Sequence, residues 1–125
     1  MKLALGRAGI GPKEVDAVFA DAAGIPEADR AEAQAIKEVF GTDVPVTAPK
    51  TMVGRLYGGG APLDVAAALL AMREGLLPPT INLDSPAEGC ELDFVTEARE
   101  AQVGTVLLNA RGFGGFNSAL VLKKL

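Results

Sequence analysis

One segment in the middle of the chain, residues 63–73, is apolar on nearly every side of a helix. Its sequence, LDVAAALLAMR, carries a single acidic residue, Asp64, close to its start. A helix that is apolar all round is buried on more than one side. The segment therefore predicts a layered fold, with other structure packed against both sides of this helix.

The segments before this helix alternate between strand and helix patterns. Residues 15–20 are apolar, with β-branched and aromatic members, as is typical of a buried strand. Residues 30–40 have apolar side chains at helical spacing, and we expect Asp29 to be the N-cap and Gly41 to end the helix. Residues 44–46, Val-Pro-Val, predict a short second strand.

Two β-rich runs, residues 103–109 and 118–122, lie near the end of the sequence and are joined by a glycine-rich turn. Two such runs separated by a short turn predict an antiparallel hairpin. Combined with the preceding strands and helices, they predict an α/β domain of layered helices and a mixed sheet that ends in this hairpin.

The chain of 125 residues has no histidine and one cysteine, Cys90. Without imidazole it cannot form a Ser-His-Asp or Cys-His catalytic arrangement, and it lacks the commonest transition-metal ligand. A single thiol excludes an internal disulfide and a multi-thiolate zinc site. We therefore expect no metal site, and any acid–base chemistry would fall to carboxylates, lysines or the lone tyrosine.

The charge of the chain is acidic, with 12 Lys and Arg against 16 Asp and Glu. No basic face is evident, so we expect no nucleic-acid partner. The longest apolar window, residues 65–72, is far shorter than the ~20 residues that a membrane-spanning helix needs. With no signal-peptide pattern, the expected location is cytoplasmic, without a membrane partner.

Two glycine-containing loops, residues 50–61 and 111–117, are the candidate ligand-binding segments. Glycine lets backbone N–H groups approach a ligand closely. Neither loop has the spacing of a phosphate-binding loop, and tight turns are the commoner explanation of such patterns.

Four side chains of the sequence are candidates for a chemical role. Lys50 is interpreted as an anion contact or, more simply, as the ion-pair partner of an acid such as Glu32. Asp21 is a general base or metal ligand or, more simply, a solvated loop residue. Arg55 is an anion contact or an exposed loop residue. Cys90 lies among acidic residues that raise a thiol pKa, so we expect it to be inert.

Four blocks of the sequence resemble β-ketoacyl synthases of the thiolase-like superfamily. The family motifs VNAHGTSTP, KSxxGH, PPTINLD and GFGG correspond here to VFADAAGIP, KTMVGR, PPTINLD and GFGG. These blocks are residues 18–26, 50–55, 78–84 and 112–115. The resemblance implies the C-terminal half of a thiolase-like fold.

The chain departs from the family at its functional residues. The resemblance places Asp21 and Arg55 at the positions of two catalytic histidines, and Ala23 and Ile25 at the positions of threonines that contact a phosphopantetheine arm. An aspartate anion cannot donate a hydrogen bond to a developing enolate, and arginine cannot shuttle a proton near neutrality. We therefore expect no catalytic residue here.

What the family pattern retains is the scaffold of the site. The retained residues are Glu32, Lys50, Gly112, Phe113, Gly114 and Gly115. A chain that lacks the catalytic residues but retains the scaffold resembles the ketosynthase-β subunit, or chain length factor, of type II aromatic polyketide synthases. The resemblance implies pairing with a ketosynthase-α subunit in antibiotic or pigment biosynthesis, with a shared acyl tunnel that sets chain length. It also implies no cofactor of its own and an indirect partner, the phosphopantetheine-bound acyl carrier protein.

Family members have two similar α/β halves, and this chain resembles the second. We expect residues 1–125 to be an incomplete C-terminal domain whose N-terminal half is a missing partner. Residues 15–20 or the terminal hairpin should then leave apolar surface. Two alternatives remain open: a divergent synthase fragment with acyltransferase or decarboxylase activity at Asp21, Lys50 and Arg55, and a stand-alone α/β interaction domain.

Overall fold

The computed structural model describes residues 1–125, with the side chain of Phe113 outside the described residues. The helices are α1 (Lys2–Ala8), α2 (Pro26–Phe40) and α3 (Gly60–Glu74). The strands are β1 (Ala17–Phe19), β2 (Pro45–Thr47), β3 (Leu76–Leu77), β4 (Asp93–Phe94), β5 (Arg99–Glu100), β6 (Thr105–Arg111) and β7 (Asn117–Lys123).

The main sheet has the strand order β4-β2-β1-β6-β7. Its first four strands are parallel, and β7 runs antiparallel to β6, with Leu108 opposite Leu120. Strands β3 and β5 form a separate antiparallel pair. The predicted α/β architecture, the mixed sheet and the terminal hairpin are confirmed.

The two faces of the main sheet bury different sets of side chains. Ala17 and Phe19 of β1 point to the face that α3 covers, whereas Val18 packs with Leu5 of α1 and Ile36 of α2 on the other face. Alternation along a strand sends successive side chains to opposite faces. The result is a three-layer arrangement with β1 at its centre.

Helix α2 begins earlier than its apolar spacing predicts. Its first residue is Pro26 and its N-cap is Ile25, so the prediction that Asp29 caps the helix is wrong. Proline is well suited to the first helical position because its φ is already helical and its missing N–H would have no partner there. The predicted end is confirmed, because Gly41 follows the last helical residue with φ 81°.

Helix α3 is covered on one side only. Ala68, Ala71 and Met72 are buried against the sheet, but Leu69 and Leu70 are 53% and 49% exposed. The prediction that this helix is buried all round is therefore wrong for this chain. The composition that suggested burial on two sides leaves an apolar face in contact with solvent.

The two segments expected to leave apolar surface behave differently. Residues 17–19 are fully buried between the helical layers, so that expectation is wrong for the first strand. Strand β7 lies at the edge of the sheet and leaves Leu120 46% exposed, in line with the expectation for the hairpin.

Within the part of the chain that the structure describes, no helix has the length and apolar character needed to cross a bilayer. The same residues contain no group of three acidic, cysteine or histidine side chains arranged to hold a metal ion.

Candidate functional site

A cavity of about 380 Å³ lies at the carboxyl ends of the parallel strands β1 and β6. From β1 the chain passes through α2 to β2 on one side of the sheet, while β6 pairs with β1 on the other side. Such a switch point is where open α/β sheets bind ligands. Its lining includes Asp21, Lys50, Arg55, Asp64 and Gly112. The two residues that the motif resemblance places at histidine positions, Asp21 and Arg55, therefore meet here.

Asp21 and Arg55 form an ion pair across this cavity. The guanidinium of Arg55 donates to Oδ2 of Asp21 at 3.3 and 3.4 Å. Asp21 is only 4% exposed, so the interpretation of it as a solvated loop residue is wrong. The simpler interpretation of Arg55 as an exposed loop residue is confirmed, since it lies in a loop with a side chain that is 38% exposed, but its guanidinium is also paired with Asp21.

The backbone around Asp21 is held by the buried carboxylate of Glu32. Its two oxygens accept the N–H groups of Asp21 and Ala22 at 2.8 and 2.9 Å, and Oε1 also accepts a hydrogen bond from the Asn109 amide. Ala22 has a positive φ of 44°, an uncommon conformation for alanine that this carboxylate helps to fix. Glu32 is thus a structural clamp on the end of β1.

Lys50 is buried and pairs with Asp64, an acid that the sequence analysis did not identify as its partner. Its ammonium contacts Oδ2 of Asp64 and donates to the Ala20 carbonyl at 2.9 Å. The proposed pairing of Lys50 with Glu32 is wrong, because Glu32 accepts from backbone and amide donors instead. The ion-pair interpretation itself is confirmed, with Asp64 as the partner.

Asp64 lies in the first turns of α3 and is 1% exposed. Burial raises the pKa of this carboxyl above its ordinary value, while the hydrogen bond from Lys50 acts in the opposite direction. An acid inside an otherwise apolar helix signals a buried partner, because an unpaired buried charge is too costly. That signal was present in the sequence at residues 63–73.

The glycine-rich turn between β6 and β7 is tied to the same cavity. Arg55 donates to the Arg111 carbonyl at 3.1 Å, and the Arg111 guanidinium contacts the Ala28 carbonyl. Gly114 and Gly115 have φ values of 71° and 82°, which glycine adopts at little cost. These contacts give the turn a structural role; the Phe113 side chain, another predicted scaffold residue, lies outside the described residues.

The close approach at Gly112 is also specific to glycine. Its N–H donates to the Phe116 carbonyl at 2.6 Å, and a Cβ at this position would lie 3.1 Å from the same oxygen. A larger residue would force the two arms of the turn apart.

Cys90 lies away from this cavity, in the acidic loop that packs against α2. Burial raises the pKa of its thiol, and Asp29 adds to the effect. The predicted direction is confirmed, although burial rather than the neighbouring acids is the main cause. A thiol with a raised pKa is a poor nucleophile, which agrees with an inert role.

Comparison with known families gives a specific match. Residues 1–84 match the family described as β-ketoacyl synthase, C-terminal domain. The chain is 57% identical over 126 aligned residues to the tetracenomycin polyketide synthase ketoacyl synthase beta subunit of Streptomyces glaucescens. That alignment covers 99% of this chain and 31% of the relative.

Solved structures give the same result. The ishigamide ketosynthase/chain length factor superposes with a TM-score of 0.95 at 36% identity, over 99% of this chain and 31% of that chain. A type II polyketide synthase acyl carrier protein in complex with its ketosynthase bound to the hexaketide superposes with a TM-score of 0.94 at 27% identity, with the same coverages. The chain therefore spans about a third of the length of these proteins.

Proposed function

The chain belongs to the β-ketoacyl synthase family, and from that premise we propose that it is the C-terminal portion of a chain length factor in polyketide biosynthesis. In this role it pairs with a ketosynthase-α subunit and helps to shape the acyl tunnel. It contributes no condensing residue of its own.

The observation that carries this proposal is the ion pair of Asp21 and Arg55. The side chains that the motif resemblance places at two histidine positions hydrogen-bond to each other. The Asp21 anion cannot donate to a developing enolate, and a guanidinium does not give up its proton near neutrality. Lys50 is engaged by Asp64 and Ala20, so this cavity supports scaffolding rather than proton transfer.

The residues at the family's two threonine positions do not fit a phosphopantetheine arm. Ala23 and Ile25 have no side-chain hydrogen-bonding group, and Ile25 is 48% exposed. The arm of an acyl carrier protein would therefore find no hydroxyl contact at either position. In the proposed function the carrier protein is an indirect partner, and this chain binds no cofactor.

The proposed partners are supported by what the similar structures contain. One combines a ketosynthase with a chain length factor, and another holds a ketosynthase with an acyl carrier protein. The name of the Streptomyces glaucescens relative, a tetracenomycin polyketide synthase subunit, supports a role in polyketide biosynthesis. The cytoplasmic location remains a prediction.

The exposed face of α3 supports an incomplete domain. An apolar groove of about 470 Å³ runs along this helix. Its lining includes Met52, Val53, Leu63, Leu70, Leu76 and Pro78. We assign this groove to the remainder of the same subunit, because the relatives are about three times as long as the segment matched here. Apolar surface of this kind marks an interface.

Co-expression of the complete subunit, with this segment in place, and its ketosynthase-α tests the proposal. Asp21→His combined with Arg55→His should leave the subunit without condensing activity of its own when the nucleophile of ketosynthase-α is removed. The same variant with an intact ketosynthase-α reports on product length and assembly. Robust condensation by the histidine-restored subunit alone would overturn the scaffolding role.

A second variant separates assembly from chemistry. Lys50→Ala should reduce the yield of the heterodimer, because it leaves the buried Asp64 unpaired. Arg73→Ala, on the exposed surface of α3, is the matched control and should assemble normally. A Lys50→Ala heterodimer that assembles normally but forms no product would assign Lys50 to the chemistry.

A further inference from the structure

The last strand of the main sheet, β7, has a neighbour on one side only among the residues that the structure describes. Its seven residues, NSALVLK, pair with β6 in a continuous antiparallel register without a bulge. They include no proline or glycine, and the one charged residue, Lys123, stands at the end of the strand. Natural sheets commonly protect an edge with charges, proline or a bulge. The free edge of β7 is therefore open to pairing with another strand.

The hydrogen bonds at the two ends of the hairpin show which backbone groups of β7 point outwards. The Gly112 N–H donates to the Phe116 carbonyl at 2.6 Å, and the Lys124 N–H donates to the Gly104 carbonyl at 2.7 Å. Hydrogen-bonded pairs alternate with non-hydrogen-bonded pairs along an antiparallel ladder. The even-numbered residues of β7 therefore bond to β6. The backbone groups that point away from the sheet belong to Asn117, Ala119, Val121 and Lys123.

The neighbouring helix does not cover this edge. An open groove of about 570 Å³ lies between α1 and residues 117–121 of β7, and Leu3 and Leu120 are among the residues that line it. Leu3 is 68% exposed and Leu120 is 46% exposed. Unpaired backbone groups and apolar side chains are thus accessible together along β7.

The sequence of β7 is self-complementary about its central residue, Leu120. A second β7, placed antiparallel with Leu120 on the two-fold axis, pairs all seven residues, with Ala119 opposite Val121 and Asn117 opposite Lys123. These four residues carry the outward backbone groups, so each pair can exchange two hydrogen bonds. Lys123 meets a neutral amide, so no like charges are opposed. Registers centred on Ala119 or Val121 pair fewer residues.

In this register Leu120 contacts its own copy at the centre of the interface. It lies opposite Leu108 of β6 and so belongs to the sheet face that α3 covers. Side chains of a directly opposed, non-hydrogen-bonded pair lie close together, with Cα atoms about 4.5 Å apart. Contact between two half-exposed leucines removes apolar surface from water and adds to the backbone hydrogen bonds.

We propose that β7 pairs with the β7 strand of a second copy of this chain, which joins two five-stranded sheets into one continuous sheet. The second copy is the occupant because its hydrogen-bonding groups, apolar centre and charges all match in one register. One strand pair is a small interface, so the dimer has a dissociation constant of about 10–100 μM. The cavity around Asp21 and the groove along α3 take no part, and the dimer does not depend on the proposed function.

An engineered disulfide tests the register. Leu120→Cys places two thiols on residues whose Cα atoms are about 4.5 Å apart, within the range of about 4.4–6.8 Å for disulfides. This variant should form a covalent dimer under mild oxidation. The matched control Ser118→Cys lies on the same face but about 13 Å along the strand from its own copy, and it should not cross-link. The unmodified chain, whose Cys90 is buried, should also stay monomeric on a non-reducing gel. Equal cross-linking of the two variants, or none in Leu120→Cys, would refute the register.

Sedimentation velocity measures the dimer itself, from about 5 to 500 μM, which brackets the expected constant. Leu120→Lys sets two like charges against each other and should raise the dissociation constant by at least about tenfold. Leu70→Lys, on α3 and similarly exposed at 49%, is the matched control and should dimerise as the unmodified chain does.

Two results would overturn the proposal and leave the edge to the remainder of the subunit. One is an unmodified chain that stays monomeric over the whole range. The other is association that Leu70→Lys abolishes and Leu120→Lys leaves intact, because the contact would then lie on α3. If Leu120→Lys does not fold, the disulfide measurement decides.

Discussion

Arg55 donates from both terminal guanidinium nitrogens to one oxygen, Oδ2, of Asp21, a residue 34 positions earlier in the chain. The carboxylate is buried, whereas the guanidinium is 38% exposed. Water can therefore replace the lost partner for the arginine but not for the aspartate. The two members of the pair should respond differently to substitution.

Loss of Arg55 should destabilise the chain more than loss of Asp21. Arg55→Ala leaves the buried Asp21 carboxylate without its cation and should lower the free energy of unfolding by about 1–2 kcal/mol. Asp21→Ala should cost less, because the remaining guanidinium is partly hydrated. Urea unfolding of both variants measures the difference. Arg73→Ala, from an exposed pair with Glu74, is the control and should change stability by less than about 0.5 kcal/mol; equal losses for all three would contradict this asymmetry.

The buried pair of Lys50 and Asp64 gives a larger effect. Lys50→Met should destabilise the chain by about 3–5 kcal/mol, because it leaves a charge that is 1% exposed without a partner. Lys50→Met combined with Asp64→Leu should recover most of that loss, since neither charge then remains. A double-mutant cycle by urea unfolding provides the check, and additive losses would show that the two side chains are not coupled.

The clamp formed by Glu32 can be tested at single amides. Glu32→Gln replaces one acceptor oxygen with an NH₂ group, so at least one of its three donors loses its partner. We expect a loss of about 1–3 kcal/mol and faster hydrogen exchange at the Asp21 or Ala22 amide. Glu38→Gln, on the exposed side of α2, should leave both amides unchanged. Unaltered exchange in Glu32→Gln would refute the clamp.

The stability of the acidic loop should depend on pH through Glu91. Its carboxylate accepts from the Gly89 N–H and pairs with Lys37, and hydrogen bonding lowers its pKa from 4.5 to about 2. A lowered folded-state pKa stabilises the fold above the unfolded value, and this contribution is lost as pH falls. The stability difference between the chain and Glu91→Gln should therefore be full above pH 4.5 and disappear towards pH 2.

Unfolding midpoints of both proteins across this range measure the effect. Glu97→Gln, on the exposed segment before β5, controls for removal of one surface carboxylate. If the stability difference between the chain and Glu91→Gln grew as the pH fell below 4.5, the pH dependence would have the opposite sign. The lowered pKa of Glu91 would then be excluded as its cause.

The features that the sequence predicted best are those set by local pattern. The hairpin of β6 and β7 has two long β-rich runs and a glycine turn, and it forms in the expected place. Strands β3, β4 and β5 have two residues each, too few for any periodicity to appear. The start of α2 was misplaced because a favoured N-cap residue, Asp29, stands just inside a proline that begins the helix.

The site was harder to predict because its contacts are distant in sequence. Asp21 and Arg55 were identified from their motifs, but their ion pair depends on how β1 and the following loops meet. The partner of Lys50 was misassigned although Asp64 stood out as the acid within an apolar helix. The exposed face of α3 shows the remaining limit: an apolar composition reports what a helix needs to bury, and the cover itself can come from outside the segment.

The main chain and the side chain of Asp21 are held by different parts of the molecule. Glu32 accepts the backbone N–H of Asp21, whereas Arg55 donates to the Asp21 carboxylate. The hydrogen bond from the backbone N–H to Glu32 does not depend on which side chain residue 21 carries. The side chain at this position can therefore change, for example from an imidazole to a carboxylate, while the backbone at the end of β1 keeps its conformation.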